Sequence, residues 1–469
     1  MNRYTRLTAV GAAALALAGC ASFSPDGGMD QVAAMTQART GHPVAAQRTP
    51  AEAGTVQARV AEILKQPLSA DSAVELALLN NRGLQASLGE LGIAEADLVQ
   101  AGRLRNPVFS FGRMTAGGVV EVERAVVFDL LGLLTMPKAR EASQSRFELA
   151  QLQAAHAAVG TAADTRQAYF HAVAAQELVG YTEQVMEAAD ASSELARRMA
   201  QAGNFSPLER MREQAFRADA VAGLARARQQ SVAARERLVR LLGLSGAQLD
   251  FQLPARLPDL PTAPIEPQDA EQTALDQRLD VMMARRSAEA TARTLGLTQA
   301  TRFVNVLDLA VRDQHETGGP RARGFEVELA LPLFDSGSPR TQRAEAAYLQ
   351  AVHRTAEVAV HARSEVRETY AAYRSAYDLA RHYRDEVVPL RKRISEENLL
   401  RYNGMLIGVF ELLADAREQV RSVTEHVQAL RDFWVAQTQL QTALTGRSPG
   451  AGVTPMPSPA AATEQAGGH

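Results

Sequence analysis

The sequence predicts a mainly α-helical chain with a smaller β part, arranged as a helix, strand, strand, long helix, helix unit that occurs twice. Three observations predict it. The stretch from Pro137 to about Ala202 has no internal proline, and that from Pro339 to Asn403 has only Pro389. At 1.5 Å per residue, about 65 helical residues reach about 100 Å, too long for the interior of a compact domain. Two passages, "VEVERAVVFDLLGLLTMPKAREA" from Val120 and "GFEVELALPLFDSGSPRTQRAEA" from Gly324, read as period-2 strands that give way to helices. Landmarks also recur at a nearly constant separation. Glu121 and Glu123 match Glu326 and Glu328, Phe128-Asp129 matches Phe334-Asp335, and "RRMAQAGNFSPLERMREQA" around Gly203 aligns with "LLRYNGMLIGVFELLADARE" around Gly404. Matches in the same order at about 200 residues' distance indicate an internal duplication.

The elements follow in order from the N-terminus. Arg3 and Arg6 precede the apolar run "LTAVGAAALALA", too short to span a bilayer as a stable anchor, and "LAGC" ends it at Cys20. Residues 1–19 read as a signal segment and 20–66, rich in small and polar residues, as a tether. Residues 67–246 form the first repeat. Its first helix, about Ala70 to Arg105, stops before Pro107, because the residue preceding a proline is pushed out of the helical region. Strands follow over about 107–130, with "TAGG" as the turn and a short first strand, "PVFSFGR". A helix from Pro137 and another from about Ser206 to Leu244 complete the unit.

Residues 247–266 are a Pro-rich linker, and 267–446 repeat the plan, with strands over about 302–334. Asp335-Ser-Gly-Ser-Pro339 breaks the last strand, Ser338 standing where a helix cap is wanted and Pro339 in the first turn. Pro389 should bend or split the long helix near its far end. Residues 447–469 read as a disordered tail.

Composition narrows the function classes. A net charge of -3 on 469 residues gives no support to a nucleic-acid partner. Cys20 is the only cysteine, so packing or oligomerisation must supply stability. No other run approaches the roughly 18 apolar residues of a spanning helix, so any crossing of a membrane must use strands. There is no Walker loop, nucleophile elbow or dinucleotide fingerprint, and the chain reads as no enzyme and as needing no cofactor. His353 and His361 lie eight apart, not the four that would share a metal on one helix face, and no metal site is expected.

The segments "AVELALLNNRGLQASLGELGIAEADLVQAGRLRNPVFSF", "ELALPLFDSGSPRTQRAEA" and "RYNGMLIGVFELLADARE", in this order inside a duplicated frame, resemble the TolC-type outer-membrane efflux proteins in their lipoprotein branch, over about Leu68 to Gly446. The resemblance implies a mainly α chain with a β-barrel part. Three copies would form one 12-stranded outer-membrane β-barrel and a periplasmic α-helical tunnel. It implies lipidation at Cys20, with Ala21 after it favouring the outer membrane. It also implies a passive conduit in a tripartite efflux system, with a homotrimer, a periplasmic adaptor and an inner-membrane pump as partners. Elementary physics agrees on one point: four strands cannot close a barrel alone, and open edges are not tolerated in lipid.

The two helix-to-helix turns would then form the constricted tunnel tip. Arg401 and Tyr402 precede the second turn, Asp415 and Arg417 follow it, and Arg197, Arg198 and Arg210 flank the first. These charged and tyrosine side chains are candidates for a gate latch or adaptor contact, the plainer reading being solvated helix ends. Gly203 and Gly404 are expected to supply left-handed turn residues. The alternative to a channel is a periplasmic coiled-coil adaptor or structural lipoprotein that meets the membrane only through its lipid. A metal-binding resistance lipoprotein is a third possibility, one the histidine spacing does not favour.

Overall fold

Residues 22–448 are described by a computed structural model; residues 1–21, Cys20 among them, and residues 449–469 lie outside them. In chain order the first half holds α1 (Met29–Thr40), α2 (Pro50–Ile63), α3 (Ala70–Asn80), α4 (Arg82–Ala101), β1 (Val108–Ala116), β2 (Val119–Asp129), α5 (Leu130–Gln201) and α6 (Pro207–Leu242). The second holds α7 (Ala270–Gln277), α8 (Leu279–Ala300), β3 (Leu307–Glu316), β4 (Ala322–Leu329), α9 (Ser338–His382), α10 (Val388–Asn403) and α11 (Val409–Thr445). The duplicated order is therefore present, and the helices dominate as expected.

The reading of 20–66 as a structureless tether is corrected, because α1 and α2 occupy most of it. A capping box starts α2: Thr49 accepts from the Glu52 amide, the Glu52 carboxylate accepts from the Thr49 amide, and Pro50 fits the first turn. Val56 and Val60, one turn apart, are buried. Two valines among alanine, glutamine and charge are too sparse a stripe to stand out in the sequence.

The first helix of each half, read as continuous, is broken at equivalent places, Asn81 and Arg278. Asn81 takes an extended backbone, its Oδ1 accepts from the Leu84 amide to start α4, and its amide donates to the Leu241 carbonyl. Arg278, 1% exposed, donates to Glu365 at 2.8 Å and toward the Ala443 carbonyl. Neither break carries a proline or glycine. Tertiary partners hold them both.

The two strand-to-helix junctions are not copies of one another. β2 passes straight into α5 at Leu130, seven residues before the expected start at Pro137, which is accommodated inside the helix. Asp129 caps it by accepting from the Gly132 amide at 2.6 Å. In the second half β4 stops at Leu329 and residues 330–337 separate it from α9, with Asp335 accepting from the Gly337 amide. Ser338, expected to cap, is instead the first helical residue. Pro389 splits the second long helix as expected. The turn before it, Tyr383–Val387, is π-helical, which widens the backbone where the ring would meet the carbonyl four residues back.

The strands form one antiparallel sheet in the order β1-β2-β3-β4, β2 pairing with β3 across the two halves. β1 is nine residues long, so the expected short first strand is also corrected; Gly112 and Arg113 interrupt its apolar pattern but not its pairing. The register separates two faces. Rungs such as Phe109, Val126, Val311 and Phe325, or Phe128, Leu309 and Val327, lie on one. Glu121, Glu123, Arg312, Gln314, Glu326 and Glu328 lie on the other. Phe109, Val311, Phe325 and Val327 are exposed.

The chain divides into two units. One gathers, of the described residues, 22–35, Ala86–Ala155 and Leu279–Val360. Besides the sheet it contains α8 tied to α5, through Arg293 to Ser145 at 2.6 Å and Arg286 to Glu148 at 3.2 Å, and to α9, through Thr355 to the Ala284 carbonyl. Glu95, buried on α4, accepts from the Ser24 amide and hydroxyl.

The other unit gathers, of the described residues, Thr36–Gln85, His156–Arg278 and 361–448. Its core brings together aromatic residues that are rare in the sequence: Phe170 stacks on Trp434 at 5.3 Å, while Tyr373 and Tyr377 both meet Phe433. The Pro-rich linker is fastened here. Phe251, Leu253, Leu257 and Leu260 are buried, Trp434 donates to the Pro258 carbonyl, Tyr377 donates to that of Thr262, and the Ile265 amide donates to Tyr373. Arg447, the first residue of the supposed tail, is buried and holds Asp164 with Nη2 at 2.8 Å from both carboxylate oxygens.

Gly243 ends α6 with φ 65, and an added Cβ would meet the Asn80 carbonyl oxygen at 2.5 Å. Gly243→Ala is expected to destabilise by at least about 1–2 kcal/mol from the left-handed backbone alone, with the clash adding more. A lowered denaturant midpoint would register it.

Candidate functional site

Two regions carry chemistry: the ends of the helical hairpins and the two-faced sheet. At the first hairpin end Gly203 adopts φ 80 and the Asn204 amide reaches back to the Met199 carbonyl at 2.9 Å, closing the terminus of α5. Ser206 then caps α6 in a capping box with Glu209. Just before the turn Arg197 and Arg198 both donate to Glu194, holding its carboxyl well below the usual range, at about 2.

The second end uses a different residue. Gly404 has φ -79, so the expected left-handed glycine there is corrected: Met405, with φ 60 and 93% exposed, takes that conformation. The Leu406 amide bonds the Arg401 carbonyl at 2.8 Å, the same closure seen at Asn204. The turns are equivalent once Met405 is set against Gly203. Only the side chain differs, and methionine bears a strain that glycine avoids.

The sequence candidates divide at this end. Arg401 is exposed and Tyr402 partly so, and Arg401 forms no ion pair among the described residues. Arg417 instead reaches from α11 to α6, its Nη2 3.1 Å from Glu213 and its guanidinium 4.5 Å over the Phe216 ring. Glu213 is 1% exposed and also accepts from the Ser192 hydroxyl of α5 at 2.6 Å. One carboxylate thus joins three helices. Asp415 is buried, and among the described residues its Oδ2 has no hydrogen-bond partner.

Sequence reasoning missed Glu213 and Ser192. Setting Met405 on Gly203 also sets Asp415 on Glu213, so the two hairpins bury a carboxylate at the same place. The internal alignment held that signal for Glu213, but nothing in the sequence marks Ser192.

The sheet offers a different site. Arg312 on β3 lies between Glu123 and Glu326, and Gln314 donates to Glu121. Around it the polar face is acidic, with Asp308, Glu316 and Glu328 at neighbouring positions. An apolar face backed by a polar one is what a membrane strand needs when one side meets lipid and the other water. Among the described residues β1 and β4 each keep an edge unpaired. Among the described residues no helix is long and apolar enough to cross a membrane, and no group of three or more His, Cys, Asp or Glu is placed to hold a metal ion.

Comparison with solved structures decides the fold. The chain is similar to a membrane protein of Pseudomonas aeruginosa (TM-score 0.70, 22% identity, covering 80% of this chain and 93% of that one). It is also similar to the outer membrane protein VceC of Vibrio cholerae (0.67, 17%, 81% and 96%). A third likeness is to the open state of the MtrE outer membrane channel of Neisseria gonorrhoeae (0.68, 17%, 83% and 91%). The fold is that of the TolC-type channels. No family model and no curated protein sequence matches the chain. OprN, CmeC of Campylobacter jejuni and MtrE, which share this fold, are outer membrane channels rather than enzymes.

Proposed function

We propose that this chain is the outer-membrane channel subunit of a tripartite efflux system, a passive conduit through which substrates leave the periplasm or an inner-membrane pump for the outside. The two-faced sheet with open edges carries the reading. Four strands with an apolar and an acidic face cannot close alone, and three copies would supply twelve, an even number within the range of membrane barrels. The paired long helices would form the periplasmic tunnel, and Cys20 would carry the lipid that anchors the N-terminus in the outer membrane. No reaction is catalysed, and energy comes from the pump through a periplasmic adaptor.

At the tunnel tip, Arg417 and Glu213 would hold the hairpins together, while the exposed Arg401 and the partly exposed Tyr402 would meet the adaptor. A coiled-coil adaptor or structural lipoprotein, the alternative, has no use for exposed apolar rungs on one sheet face. The test is the Cys20→Ala form, which removes the lipid and leaves the strands. A trimer that needs detergent, survives mild SDS and dissociates on boiling is the expected result. A monomer that stays in solution without detergent overturns the channel.

A further inference from the structure

The apolar face of the sheet does not stay apolar to its end. Two residues up from the rung of Phe109, Val126, Val311 and Phe325, about 7 Å along the strands, comes the rung of Phe111, Arg124, Asp313 and Arg323. Arg113 and His315 follow one rung higher, and Arg321 stands in the turn just before β4. Arg124 lies 3.6 Å, Arg321 2.6 Å and Arg323 3.3 Å from the single carboxylate of Asp313. Each of the three is about half exposed or more. Arg113 is exposed and has no ion pair among the described residues. Three guanidiniums therefore face one carboxylate and Arg113 adds a fourth cation on the same sheet face, a surplus of three positive charges beside the apolar rungs.

We propose that this cluster is a docking surface for the anionic phosphate headgroups of outer-leaflet lipids, which rests on the reading that the sheet spans the outer membrane. The strand ends carrying the cluster are those joined by tight turns, opposite the ends that lead into the long helices, so they point to the outer side. Acyl chains would lie along Phe325, Val311 and Val126, and the headgroup would meet the arginines one rung above. Arginine suits this place, since its planar fork takes phosphate oxygens two at a time and is weakly hydrated. Near the interface a charge on the lipid face costs little, and it gains from an anionic surface. The surplus of cations is the charge complement of such a headgroup, and the adjoining apolar rungs are the complement of its chains. A soluble anion would use only the first.

The test is native mass spectrometry of the full-length trimer in detergent, titrated with phosphatidylglycerol or with zwitterionic phosphatidylcholine. The wild type should retain the anionic lipid preferentially, and R113Q and R124Q should each lower that retention about 5-fold while leaving phosphatidylcholine unchanged. R113Q is informative even if R124Q disturbs the Asp313 cluster, because Arg113 takes no part in it. R226Q, an exposed arginine on α6, should change nothing. A trimer that forms but shows no anionic preference, or whose preference is indifferent to R113Q and R124Q, overturns the proposal alone. Displacement by millimolar inorganic phosphate would mean a soluble-anion site and also overturns it. Failure to form a detergent-dependent trimer overturns the proposal together with the reading beneath it.

Discussion

Val126→Arg or Val311→Arg is expected to abolish the heat-modifiable trimer, while Ser110→Arg, on the other face of the same sheet, leaves it intact. Val126 and Val311 are direct partners in the apolar rung between Phe109 and Phe325, one rung from the arginine cluster on the side that leads to the helices. A guanidinium there would sit in hydrocarbon between the interface, where it costs about 0–1 kcal/mol, and the midplane, where it costs about 2–4 kcal/mol per copy, and a trimer would carry three. Ser110 pairs with Ala125 on the acidic face, where an added cation meets carboxylates and water. SDS gels with and without boiling give the comparison directly. Equal tolerance at Val311 and Ser110 would mean that neither face meets lipid.

Arg417→Ala is expected to loosen the hairpin ends more than any other single change there. It strands Glu213, 1% exposed, as a buried carboxylate with only the Ser192 hydroxyl for company. Breaking a buried pair from one side costs about 3–5 kcal/mol, and the lower end applies here because the Arg417 side chain is over a third exposed. The loss should appear as a lower denaturant midpoint and as faster amide exchange around 192–216. In planar bilayers the variant should show larger or more frequent openings. Replacing both partners by apolar residues, Arg417→Met with Glu213→Leu, should recover most of the stability, since no charge is then left buried. If the double variant is as weak as Arg417→Ala, the lost contact is packing over Phe216 and not the ion pair.

The parts legible in the sequence share a cause: they are written in local periodicity and in turn-forming residues. β2 and β4 were visible because Val120 to Phe128 and Phe325 to Leu331 alternate, and the hairpin ends because Gly203 and "SP" at Ser206 stand between proline-free stretches. What escaped was decided by contacts from far along the chain. Asn81 and Arg278 break helices without a breaker residue because Leu241 and Glu365 hold them. The anchoring of the Pro-rich linker at 247–266 is not legible locally because its anchors, Trp434, Tyr377 and Tyr373, lie more than a hundred residues away. The left-handed residue at the second turn was assigned to Gly404 on conformational preference, and tertiary structure gave it to Met405 next door. Of the tip candidates, Arg417 proved to have a buried partner, but the partner was legible only through the duplication that equates Glu213 with Asp415.

The central claim is that the open edge of β1 in one copy pairs with the open edge of β4 in the next. Disulfide trapping tests it most directly. In a Cys20→Ala background, a cysteine at Ser110 is combined in turn with one at Ala322, Gly324 or Glu326, all on the same face of the sheet, and membranes are oxidised before non-reducing electrophoresis. At least one pair is expected to yield covalent dimers and trimers that reduction dissolves. Bonds confined to single chains, or none in any register, would contradict a barrel shared among three copies.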